Sequence, residues 1–138
     1  MKINKIDIAR RQLDVAVDIF LSDGDLISVI TLAGAAEEIF GTIVSVGGKE
    51  NAVKFLVRSH KSLGSKLVEK EIRNHANLVR NALKHADRDS DENIEFDERQ
   101  EAIAMLSRAL TNFSKIDMNG AFPLMEKVYE QMHQIRNA

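Results

Sequence analysis

Ile6, Ala9, Leu13, Val17 and Phe20 advance in steps of three and four residues, the period of one helix face. The spacing predicts a first helix over 4–21, with Asn4 capping its first turn. "SDGD" at 22–25 breaks it, with Gly24 suited to a left-handed C-terminal residue and Asp25 to the next N-cap. The following stretch, 25–48, is apolar on nearly every side until Gly47–Gly48, so it reads as a surrounded helix at the centre of the protein. A short third helix is predicted over 50–60. A long fourth is predicted over 65–86, with Val68, Ile72, His75, Ala76, Val79, Ala82 and Leu83 on one side. Asp97 and Gln100 form a capping pair for a fifth helix that runs through Ile103, Leu106, Leu110 and Phe113 to about residue 116. "DMNG" at 117–120 reads as a break, and Pro123 as lying near the start of a sixth helix that ends at about Arg136. No repeat and no alternating strand pattern is present. The expected fold is all-α, an antiparallel bundle of five to six helices in a single domain over 1–138.

Composition narrows the class. With 44% hydrophobic and 29% charged residues, the 138-residue chain is globular rather than disordered. Cysteine is absent, which excludes disulfides, thiolate zinc sites and cysteine nucleophiles. The first twenty residues lack the features of a signal peptide. No apolar run is expected to approach the roughly 20 residues that cross a bilayer. The chain therefore reads as soluble and cytoplasmic, with no membrane partner.

Charge changes the picture more. Net charge is −2, yet residues 54–86 carry eight basic residues against Glu69 and Glu71, a local balance of +6. Lys66, Lys70 and Arg73 lie in this span and are candidate RNA-backbone contacts. Inside the apolar stripe of the second helix lies Glu37. A buried carboxylate needs a partner, and Arg80, His75 and His85 are the candidates. Glu37 then has two readings: a structural ion pair between helices, or a residue that orients a catalytic Arg or His, with Lys84 beside it in support.

"RNALKH", residues 80–85, places Arg80, Asn81 and His85 at the end of the basic helix. Arg stabilises an anionic phosphorus and His moves protons near neutral pH. On an ideal helix Arg80 and His85 lie about 140° apart, so a site built from both needs a loosened helix end or a subunit interface. The segment resembles the R-x4-H signature of HEPN domains, small all-helical proteins whose ribonucleases are typically dimers. That resemblance implies metal-independent RNA cleavage in a homodimer without a cofactor. His85 would act as general acid or base, Arg80 would hold the scissile phosphate, and Asn81 would position it. Asp87 stands where related toxins commonly carry Tyr.

Two other classes stay open. One is a non-enzymatic interaction module that assembles with itself or a protein partner. The other is a Ca²⁺-binding helical protein: counted from Asp87, the loop places Asp87, Asp89, Asp91 and Glu98 at positions one, three, five and twelve of an EF-hand pattern. Glu92 occupies the sixth position, where the turn normally requires Gly.

Overall fold

The computed structural model describes residues 1–84 and 93–136, the side chains of 135 and 136 excepted. Six helices follow in order: α1 (Lys5–Leu21), α2 (Leu26–Val46), α3 (Ala52–Ser62), α4 (Glu69–Ala82), α5 (Glu98–Ser114) and α6 (Met118–Arg136). Among the described residues there is no strand, so the all-α expectation stands.

α1, α2, α3 and α5, like α6 below, begin where a short polar side chain can satisfy a free backbone N–H. Asn4 accepts from Ile6 at 2.7 Å and Asp25 from Ser28 at 3.1 Å. Asn51 accepts from Lys54, and Asp97 from Gln100, each at 2.9 Å. α4 has no side-chain cap. It is also shorter at both described ends than the pattern predicted: Ser65 Oγ holds Leu67 N–H in a turn, and the helix starts only after Val68. Its acidic first turn, Glu69 and Glu71, complements the helix dipole there. Val68, His75 and Ala82, placed by periodicity on the buried side, are exposed.

Two turns differ from expectation. At the α1–α2 turn, Asp23 and not Gly24 takes the left-handed conformation, with φ 55°. Gly24 is needed for proximity instead, because a Cβ there would lie 2.8 Å from Ile19 Cγ2. "DMNG" is a helix start rather than a break. Asp117 Oδ1 accepts from Gly120 N–H at 3.0 Å, and α6 begins at Met118. Pro123 is thus the sixth residue of α6, early enough that its missing N–H frees only one carbonyl of the first turn.

The core is built mainly from α1, α2 and α5, with Ala121 and Val128 of α6 closing it. Leu13, Phe20, Ile30, Phe40, Leu106 and Phe113 are nearly or fully removed from solvent. Each such side chain is worth about 1.5–3 kcal/mol of burial. Phe40 and Phe113 stack with centroids 4.8 Å apart, which locks α2 to α5. These two helices run parallel: Gly34 lies by Met105, and Gly41 by Asn112. α1 is antiparallel to α5, with Arg10 over Phe113 and Arg99 over Phe20. The expected antiparallel bundle is therefore corrected at its largest helix–helix contact, because α3 and α4 carry the chain back between α2 and α5.

α2 is not surrounded on all sides, since Ile27 and Val46 are exposed. Its 21 residues are long and apolar enough to cross a bilayer, contrary to the sequence expectation, although half of that stretch is buried within the protein.

Candidate functional site

Gly34, Glu37 and Gly41 share one face of α2 at steps of three and four, and all three are buried. Onto this seam converge polar side chains from three other helices. Arg80 of α4 lays its aliphatic stem across Gly34, where a Cβ would sit 2.7 Å from both Arg80 Cγ and Cδ. Its Nη1 then donates to Glu37 Oε2 at 2.7 Å. Arg108 of α5 approaches the other carboxylate oxygen, donating from Nη2 to Glu37 Oε1 at 3.1 Å. The same guanidinium holds α4, donating to the Ala76 carbonyl at 2.9 Å and to Asn77 Oδ1 at 2.7 Å.

One turn further along, Asn112 of α5 donates to the Glu37 carbonyl at 3.2 Å and accepts from Ala52 N–H at 2.8 Å. Asn51 donates to the Gly41 carbonyl at 3.1 Å. The seam thus fastens both α3 and α4 to the α2–α5 pair through directional bonds, where apolar contact is thin. Side-chain exposure is 4% for Glu37, 9% for Arg80 and 13% for Arg108, so all three charges are largely desolvated. Two guanidiniums face one carboxylate, an excess of one positive charge. The Nε groups of both arginines have no hydrogen-bond partner among the described residues.

The sequence-predicted residues therefore separate. Arg80 and Glu37 come together as an ion pair. Asn81 is half-buried at the end of α4, and Lys84 lies 4.0 Å from the Glu38 carboxylate. His75 is exposed and is not the partner of Glu37. Lys66 and Lys70 are exposed, whereas Arg73 is engaged with Glu69 at 2.8 Å. Glu98 is the first residue of α5. His85, Asp87, Asp89 and Asp91 lie outside the described residues, and no group of three or more metal-ligating side chains occurs among those described. Sequence reasoning missed Arg108 and Asn112. Both carry a readable signal, since they follow the buried Met105 at helical steps inside the apolar stripe of α5.

On the outside of the same α3–α4 pair lies an open cleft of about 520 Å³, lined by Lys54, Val57, Arg58, Lys61 and Ser62 of α3 and by Glu69 of α4. Arg58 forks onto Glu50, Nε to Oε2 at 2.9 Å and Nη2 to Oε1 at 3.0 Å. The hydrogen bond from Arg58 holds the Glu50 carboxyl below its ordinary range, and the bond from Arg73 does the same for Glu69. Three of the lining side chains, Lys54, Arg58 and Lys61, are cations against the single carboxylate of Glu69, which makes the cleft electropositive.

No family model matches this chain, and neither a curated protein nor a solved structure matches it. Geometry alone then describes the site: a buried polar clamp beneath α3–α4 and an open cleft lined by Lys54, Arg58 and Lys61 outside it.

Proposed function

We propose that this protein is an RNA-binding helical module whose α3–α4 pair presents a cationic outer face, and that Arg80 is the clamp holding that pair in place. The carrying observation is how the cations of this span divide. Arg80 turns inward and is 8% exposed, while Lys61, Lys66 and Lys70 stand outside, with no acidic partner within ion-pair distance among the described residues. Residues 54–86 hold a balance of +6 in a chain of net −2, which leaves −8 on the rest. A field so divided orients a polyanion toward one side and repels it from the other. The likeness of "RNALKH" to the HEPN signature supports RNA as the polyanion.

The test is fluorescence anisotropy of labelled RNA across a salt series. In single-stranded RNA each phosphate contact contributes about 0.7 to the slope of log affinity against log salt. Reversing Lys61, Lys66 and Lys70 to Glu together is expected to lower that slope by roughly 2. The same reversal at the exposed Lys127 of α6 is expected to leave it unchanged. Absence of binding at low salt, or an unaltered slope in the triple variant, overturns the proposal.

Cleavage by Arg80, Asn81 and His85 in a homodimer is a second reading, supported by the likeness of "RNALKH" to the HEPN signature. It requires the guanidinium to exchange Glu37 for a phosphate at the loss of a buried ion pair. RNA is therefore expected to survive incubation with the protein in EDTA. Cleavage that is lost in both His85→Ala and Arg80→Ala would establish the second reading instead.

A further inference from the structure

Phe55 projects from α3 and remains 53% exposed. It is the sole aromatic residue in the basic span 54–84, which has no Tyr or Trp. Its neighbours are what distinguish it from an ordinary surface phenylalanine. The Arg58 guanidinium lies over its ring, with Cζ 5.1 Å from the centroid. That guanidinium is held in place by its two hydrogen bonds to Glu50. Lys54 and Lys61 flank this pair along α3, about 10 Å apart on the helix axis, and both line the cleft. The arrangement is an exposed π-face with a fixed cation behind it and a lysine on either side, Lys54 donating to Ser45 Oγ and Lys61 exposed.

A duplex hides the faces of its bases and offers a protein mainly phosphates and sugars. An unpaired strand offers both phosphates and faces, and proteins that take it combine a cationic groove with aromatic platforms. We infer that Phe55, backed by Arg58, is a stacking platform for an unpaired base, so that the α3–α4 cleft takes single-stranded RNA in preference to duplex RNA. This rests on the RNA-binding reading and adds to it the class of RNA. The cations act on phosphates of either form, whereas Phe55 acts on single strands alone.

Three proteins and two RNAs test it. Wild type, Phe55→Ala and Phe55→Trp are titrated against a labelled oligouridylate of about 12 nucleotides, a length of the order of a single-strand binding site, and against a blunt duplex with the same number of phosphates. Wild type is expected to prefer the single strand. Phe55→Ala is expected to lose roughly 5- to 100-fold in affinity for it, the effect of removing one stacked base. Its affinity for the duplex and its salt slope are expected to stay unchanged. Phe55→Trp is expected to retain affinity. Because the chain has no other Trp, its emission reports directly on position 55 and is expected to be quenched as the oligouridylate binds.

Equal binding of both RNAs with no loss in Phe55→Ala overturns the platform while leaving RNA binding intact. Equal loss on both RNAs assigns Phe55 a role in shaping α3 and likewise overturns it. Binding of the single strand by Phe55→Trp without quenching does the same. Failure of wild type to bind either RNA removes the parent reading, and with it this one.

Discussion

Glu37→Gln is expected to lower the unfolding free energy by about 3–5 kcal/mol, the usual effect of removing one partner from a buried ion pair. Glutamine keeps the shape and one acceptor, but it leaves Arg80 and Arg108 facing each other without a counter-charge. Both guanidiniums are largely desolvated, so water does not take over the lost role. In a chain of this length the melting temperature is expected to fall by roughly 10–20 °C. Glu38→Gln, one residue on, supplies the control. Its carboxylate is 62% exposed and 4.0 Å from Lys84, and its loss is expected to be within about 0.5 kcal/mol. Replacing Glu37, Arg80 and Arg108 together by Leu and Met is expected to recover most of the stability, since the desolvation of all three charges disappears with them. Urea denaturation of the four proteins checks this. A Glu37→Gln variant as stable as wild type would show that the carboxylate does not hold the seam.

Gly34→Val is expected to destabilise by about 3 kcal/mol, and Gly34→Ala by less, in the manner of an overpacked core. Helix propensity argues the opposite sign, because glycine inside a helix is about 1 kcal/mol worse than alanine. Contact with Arg80 decides the matter. A Cβ at 34 would lie 2.7 Å from the middle of that stem, and the stem has little freedom to move while its guanidinium is held by Glu37. In an Arg80→Ala background the obstruction is gone, and Gly34→Ala is expected to become stabilising. A double-mutant cycle between positions 34 and 80 measures the coupling, and a coupling near zero would separate the glycine from the ion pair.

Legibility followed physical range. α1, α2 and α5 were readable because each has a capping side chain and a long apolar stripe, both local signals. The start of α4 has no local signal, because nothing caps it and the apolar period alone extends back to Ser65. The start of α6 is harder to read, because Pro123 is the conspicuous signal while the capping side chain, Asp117, lies six residues before it inside a turn-like "DMNG". Glu37 stood out as a charge inside an apolar stripe, and the charge of the fourth helix pointed to Arg80. Arg108 and Asn112 obey the same rule on α5, but the apolar members of that stripe, Ile103, Leu106, Leu110 and Phe113, define the helix without them. The parallel run of α2 and α5 has no local signature at all. Phe55 was legible as a residue but not as a site, since its significance depends on Arg58 and the cleft beside it.

That parallel pairing also governs the order in which the chain can fold. α1 and α2 are joined by a short turn and meet soon after collapse begins, whereas Glu37 and Arg108 are 71 residues apart in sequence. Joining them closes a long loop before any of its reward in packing is collected. α5 is therefore expected to join the α1–α2 pair late, with substitutions at its contacts changing the unfolding rate more than the folding rate.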